Sequence, residues 1–151
     1  MRRMLVFLAI GCFLLNTAGY VHAKGTAAEA KAMVEKAAAF MKANGQEKTF
    51  AEINNKKGQF VKDDLYVYAC DIKGLTLAHG ANEKLIGRDF SDLKDADGKL
   101  FMREVMEGAK AKGSGWCDYK WTNPLTKNLE HKSAYFLRVG DVILMCGIYK
   151  K

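Results

Sequence analysis

Apolar side chains return at helical spacing over residues 27–44, AAEAKAMVEKAAAFMKAN. Ala30, Met33, Val34, Ala37 and Met41 share one face. The alanines, lysines and glutamates between them favour helix, and Gly45 is placed to cap it. Thr49 and Glu52, three apart, read as a capping box that opens a short second helix, running to about Lys57 and stopped by Gly58. At Leu65 the pattern changes to β-branched and aromatic residues. LYVYACD, a turn at Asp71-Ile72-Lys73-Gly74 and a returning LTLAHG predict a hairpin. Tyr66, Tyr68 and Cys70 share one face of its first strand, and Val67 and Ala69 share the other. Both faces are apolar or aromatic, so this strand needs cover on both sides, and the long helix supplies only one.

The second cover is expected from residues 80–98, anchored by Leu85, Ile86 and Phe90, and from a helix beginning near Lys99 with Phe101, Val105, Met106 and Ala109 on one face. Gly113-Ser114-Gly115 ends that helix. Three strands follow at 115–122, 132–139 and 141–149, with Gly140-Asp141 as the tight turn between the last two. The order predicts an α+β domain: a five-stranded antiparallel sheet with a helix on one face and a half-open pocket on the other.

The first 23 residues read differently. Arg2 and Arg3 precede an apolar run from Met4 to Leu15, and Val21-His22-Ala23 ends in small residues at the offset for cleavage. The run is about a dozen residues, against roughly 20 needed to span a bilayer. The expectation is a cleaved export signal over residues 1–23, with an uncleaved anchor as the alternative, and a single domain over residues 24–151. Such a protein is periplasmic or secreted.

Charge refines this only slightly. The chain carries a formal +7, and two of its positive charges lie in the leader. The lysines are spread along the chain and no nucleic-acid-reading motif occurs, so no nucleic-acid partner is expected. A modest positive charge suits a small organic anion. Cys70, Cys117 and Cys146 remain after the leader, an odd number without a C-x-x-C, which removes the common zinc, thioredoxin and haem signatures. They read as small buried apolar side chains. Asp92, Asp95, Asp97 and Gly98 invite a calcium loop, but the first ligand position would fall on Leu93. An acidic turn and helix cap is the reading kept. No metal or cofactor is expected.

Chemistry concentrates between Trp116 and Tyr135. Trp116, Tyr119 and Trp121 precede a turn at Asn123-Pro124, the chain's one proline, and Lys132 and Tyr135 open the returning strand. Aromatic walls around one fixed cation suit the grip of a small anion rather than bond breaking. An enzyme would need a nucleophile, a base and an orienting group, or an open metal site. Only two histidines follow the leader and there is no G-x-S-x-G.

YVYACDIKGLTLAHG, NEKLIGRDFSDLKDADGK, GWCDYKWTNPLTKNLEHKSAYF and CGIYK occur in this order and spacing. Together they resemble the single Cache domain, type 2, an extracytoplasmic relative of the PAS fold, from about Thr26 to the end of the chain. The resemblance implies that the five strands, numbered along the chain, lie in the order 2-1-5-4-3, with a ligand cleft opposite the long helix. It implies binding of small molecules, commonly short carboxylates, relayed to a membrane-bound sensor kinase or chemoreceptor. No second span or signalling module follows in the sequence, so the expectation is a free-standing domain. The alternative is an interaction or regulatory subunit of a membrane sensor whose pocket is vestigial.

Within that frame each candidate carries two readings. Lys132 pairs with a ligand carboxylate, or is a solvated lysine at a strand end. Tyr135 donates to the same anion, or fills the core. It lies three residues from Lys132, so sharing a face requires a bulge. Trp121 shares a face with Tyr119 and walls the pocket, or is core, while Trp116 lies opposite. His79 closes the second strand and donates to the ligand, or is structural; His131 reads as solvated. Arg103 grips the anion from the covering helix, or lies one turn away in solvent. Of Tyr68 and Tyr149, near the sheet centre, one faces the cleft. Cys70 and Cys146, on strands the resemblance makes neighbours, are the pair expected if any disulfide exists.

Overall fold

The computed structural model describes residues 24–150; the expected leader lies outside the described residues. Helix α1 spans Ala27–Asn44. Thr26 caps it in a full capping box with Glu29, and Gly45 terminates it at φ 84°. Helix α2 spans Gln46–Asn54 and so begins earlier than Thr49. The Thr49 hydroxyl donates back to the Gly45 carbonyl at 2.7 Å, and Glu52 accepts from the Gln59 amide at 3.1 Å. Those side chains tie the helix to its flanks instead of forming the box expected there.

Strand β1, Val61–Lys62, turns tightly into β2, Leu65–Asp71, and β3 spans Thr76–His79. After the irregular stretch, helix α3 spans Phe101–Lys112. Then come β4, Ser114–Thr122; β5, Leu129–Val139; and β6, Val142–Tyr149. The sheet is antiparallel. β2 pairs with β6, β6 with β5, and β5 with β4, while β1 and β3 share the outer edge of β2. The five expected strands are β2 to β6, in the expected order, and β1 is a short addition that the sequence pattern did not show.

The two faces of this sheet bury different things. On one, Ala30, Val34, Ala37 and Met41 of α1 and Ile53 of α2 pack against Val67, Ala69, Leu144 and Cys146. On the other, Phe101, Met102, Val105, Met106 and Ala109 of α3 pack against Cys70, Phe136, Ile143 and Met145. Phe90, from the irregular stretch, joins this second cluster. Asp95 fixes that stretch: its carboxylate accepts the amides of Asp97, Lys99 and, on β4, Lys120, each at 2.9 Å. It is a bracing turn and not a helix cap, because Leu100 occupies the N-cap of α3 without a side-chain bond.

Cys70 and Cys146 do not pair. The register sets Val67 opposite Cys146 and Ile143 opposite Cys70. The two side chains therefore emerge on opposite faces, beyond the ~4 Å Cβ separation that a disulfide needs. All three described cysteines are free and buried.

Candidate functional site

The site lies on the second face, where α3 covers only part of the sheet. Lys132 is directly opposite Tyr149 on β6 and Tyr119 on β4, so all three emerge on the same side. Its stem lies flat across Gly147. A Cβ at that glycine would stand 2.4 Å from Lys132 Cε, so the absence of a side chain there is what lets the lysine fold down. The Nζ donates to the Tyr66 hydroxyl at 2.8 Å and to the Tyr149 hydroxyl at 3.3 Å. It also stands 4.0 Å from the Tyr66 ring centroid and 4.7 Å from that of Tyr149. Tyr149 passes its own proton to the Thr122 carbonyl at 3.0 Å.

Lys132 is 3% exposed, and among the described residues no carboxylate lies within ion-pairing distance of it. Every ion pair among the described residues is at least partly at the surface. A buried cation facing only phenols and rings is held at a cost that an incoming anion would offset.

His79 adjoins it. Its ring stacks on Tyr66 with centroids 5.0 Å apart and meets Tyr68 edge-on at 5.6 Å. Its Nδ1 accepts the amides of Ala81 and Asn82 at 3.2 and 3.0 Å. That bonding assigns the ring proton to Nε2. Burial, reinforced by the charge of Lys132, holds the imidazole down at about 3, so it is a neutral donor at ordinary pH. Burial also raises the phenols of Tyr68, Tyr119 and Tyr149, which stay protonated. The Tyr68 hydroxyl bonds to Thr76 at 3.2 Å.

Rings complete the enclosure. Tyr119 stacks on Phe101 at 4.2 Å, and Trp121 stands across Phe101 and Phe90 at 5.8 and 6.3 Å. The cavity they close with Met102 and Met145 is about 30 Å³. Tyr66, His79 and Trp121 also border a wider depression of about 500 Å³ that leads outward past Asn82, Leu85 and Lys94.

Of the residues singled out in the sequence, Tyr68, His79, Trp121 and Lys132 line the inner cavity. Tyr149 stands behind Lys132 and orients it. Two do not join them. Tyr135 points to the α1 face, opposite Trp116 and Cys146 and with Lys31 5.8 Å from its ring. β5 pairs without a bulge from Leu129 to Val139, so residues three apart oppose each other, and Ala134 takes the place facing the cavity. Arg103 lies on the outer side of α3 and pairs with Asp92 at the surface. Met102, Val105 and Met106 use the inward arc of the helix, and one step of about 100° turns Arg103 away from it. Two contributors went unseen. Tyr66 has the parity of Tyr68 and could have been read from it. Gly147 gave no signal in the sequence.

The family model of the single Cache domain 2 matches residues 7–151. The chain belongs to this family. The structure is similar to that of a methyl-accepting chemotaxis protein from Vibrio parahaemolyticus, with TM-score 0.67 and 25% identity over 81% of this chain and 86% of that one. It is also similar to a Cache chemosensory domain solved to explain its carboxylic acid recognition, with TM-score 0.65 and 25% identity over 80% and 86%. A periplasmic sensor domain of a chemotaxis protein shares the fold, with TM-score 0.65 and 21% identity over 80% and 88%. No curated protein matches the chain. This Cache domain is thus an extracytoplasmic, sensory type of ligand-binding fold, and no helix of its described residues is long and apolar enough to cross a membrane.

Proposed function

We propose that this Cache domain binds a short carboxylate outside the cytoplasm, without catalysis, and passes the bound state to a membrane-bound sensor kinase or chemoreceptor. Export by a leader removed near Ala23 belongs to the same reading. The observation that carries it is Lys132, a buried cation with no acidic partner among the described residues. One positive charge calls for one negative charge, and the His79 Nε2 proton and the Tyr66 hydroxyl stand beside it as neutral donors. The recognition of carboxylic acids by a relative 25% identical supports the same ligand class. The chemistry speaks against a reaction. Burial pushes the thiols of Cys70, Cys117 and Cys146 up to about 12, and His79, held near 3, is a poor base.

A thermal-shift series with acetate, propionate, pyruvate and lactate tests the proposal. At a hundredfold excess over Kd a ligand adds ~2.7 kcal/mol to stability, and Lys132→Met abolishes the rise. Equal shifts in the variant would defeat the anion reading. One observation favours a second reading, an interaction subunit with a vestigial pocket: a cavity of about 30 Å³ holds only about two waters. Under the first reading Met102, flexible and unbranched, yields to admit the ligand. Under the second, no acid shifts the transition at any concentration.

A further inference from the structure

Another buried ionisable side chain lies two residues before Tyr66. Asp64, in the turn between β1 and β2, is 1% exposed. Its Oδ1 accepts the Gly25 amide at 2.8 Å, and its Oδ2, equally enclosed, has no hydrogen-bond partner. It is the one buried side-chain oxygen or nitrogen left unsatisfied among the described residues. A carboxylate oxygen out of water and without a donor is costly.

The backbone beside it is tightly seated. A side chain at Gly25 would place its Cβ 2.4–2.7 Å from the branch atoms of Leu65, itself 1% exposed, so the chain passes close over β2 there. One residue on, Thr26 begins the cap of α1. The neighbouring lysines do not serve Asp64. Lys24 Nζ pairs with Glu130 at 3.6 Å and Lys62 with Glu29 at 2.9 Å.

We infer that Asp64 is the seat of a free α-ammonium at Lys24, formed when the chain is cut between Ala23 and Lys24. The cut is a hydrolysis. Water gives its oxygen to the Ala23 carbonyl carbon, the C–N bond breaks, and both water hydrogens are conserved as the Ala23 carboxyl passes its proton to the Lys24 amine. A planar nitrogen with one hydrogen becomes a cation with three. Nothing then precedes it, so rotation about the Lys24 Cα–C bond carries it toward Oδ2 while the Gly25 amide stays on Oδ1. The small residues of Val21-His22-Ala23 mark that bond in the sequence, and the inference rests on the leader removal already proposed. A cut one residue earlier would set the charge about 3.8 Å further along the chain. The fold thus favours one register of processing, and the processed form is complete where the precursor leaves an orphaned oxygen.

The test is made on the full chain, exported and recovered. Its intact mass shows Lys24 as the first residue. At pH 6.5, below the ordinary range of an α-amine, its α-amine reacts with an acylating reagent about tenfold more slowly than that of Asp64→Asn, a tenfold difference there corresponding to one unit of raised pKa. The sign of the pH dependence follows. An ammonium raised above its unfolded value stabilises the fold below about pH 8 and loses that contribution as pH rises through the folded value. Melting temperature therefore falls more steeply between pH 8 and 10 in the processed protein than in Asp64→Asn, where only the fall given by the buried thiols and phenols remains. Should that variant not fold, a form beginning at Ala23 keeps Asp64 and also shows the fast amine. A first residue other than Lys24, or equal amine reactivity in the processed form and the form beginning at Ala23, overturns the inference.

Discussion

The two faces of one sheet were put to different uses. Beneath α1 and α2, the strands present Val67, Ala69, Leu144 and Cys146 to small helix residues, and the cluster, which includes Phe60, is apolar except for the Tyr135 hydroxyl. On the other face, the strands alternate the same way, yet β2, β5 and β6 each place a polar group inside the wall: Tyr66, Lys132 and Tyr149. The first face spends its residues on burial, the dominant favourable term in folding. The second gives up some of that gain to keep donors in a dry place. Stability and binding should therefore separate cleanly when the faces are altered one at a time.

The largest effect is expected on the closed face. Leu144 is fully buried between α1 and the sheet. Leu144→Ala should cost about 2–5 kcal/mol in denaturant unfolding, the range for buried leucines left as cavities. Carboxylate affinity of the folded fraction should not change. A loss of both together would mean that the faces are coupled through the strands.

The next effect belongs to pH and to His79. Its folded value, about 3, lies below the ordinary 6.5. The unfolded chain takes up a proton below pH 6.5 that the folded chain refuses. Stability is therefore intact above pH 6.5 and falls as pH drops toward 3, by about 2 kcal/mol at pH 5. His79→Gln should flatten this slope between pH 6.5 and 5. An unchanged slope would place the titration elsewhere.

A smaller effect is expected at Gly147. Adding a methyl there crowds the Lys132 stem, which can bend away at a cost of about 1 kcal/mol. The Nζ would then leave Tyr66, so Gly147→Ala should weaken the ligand-induced thermal shift more than it lowers the unliganded melting point. The reverse ratio would mean that the lysine's position is not set by the glycine.

What the sequence disclosed follows from which periods suffice. Strand parity is local, so Tyr68 could be set on the face of Tyr66 and Trp121 on that of Tyr119, and the three-residue spacing from Lys132 to Tyr135 already argued against a shared face. The strand order was not local; it came from the resemblance of several segments taken together. Gly147 was invisible because a close approach between strands leaves no mark on either one. The capping box was assigned to Thr49 because the pattern recurs, while the box that forms is at Thr26. The rotation of α3 needed the contacts of Met102 and Met106 before Arg103 could be placed.

Arg103 supplies the smallest and most discriminating prediction. Its guanidinium is about half exposed and paired with a still more exposed Asp92. Exposed pairs contribute ~0.2–1 kcal/mol, less in salt. Arg103→Ala should lower stability by no more than about 0.5 kcal/mol in 0.15 M salt and leave carboxylate affinity unchanged. Arginine is the better carboxylate grip in general, because its fork bonds both oxygens at once. Here the compact ammonium is the one placed inside, its stem along Gly147 and its Nζ against the rings of Tyr66 and Tyr149. If affinity falls in the arginine variant, α3 must rotate on ligand binding, and the closed cavity is one of two arrangements of that helix.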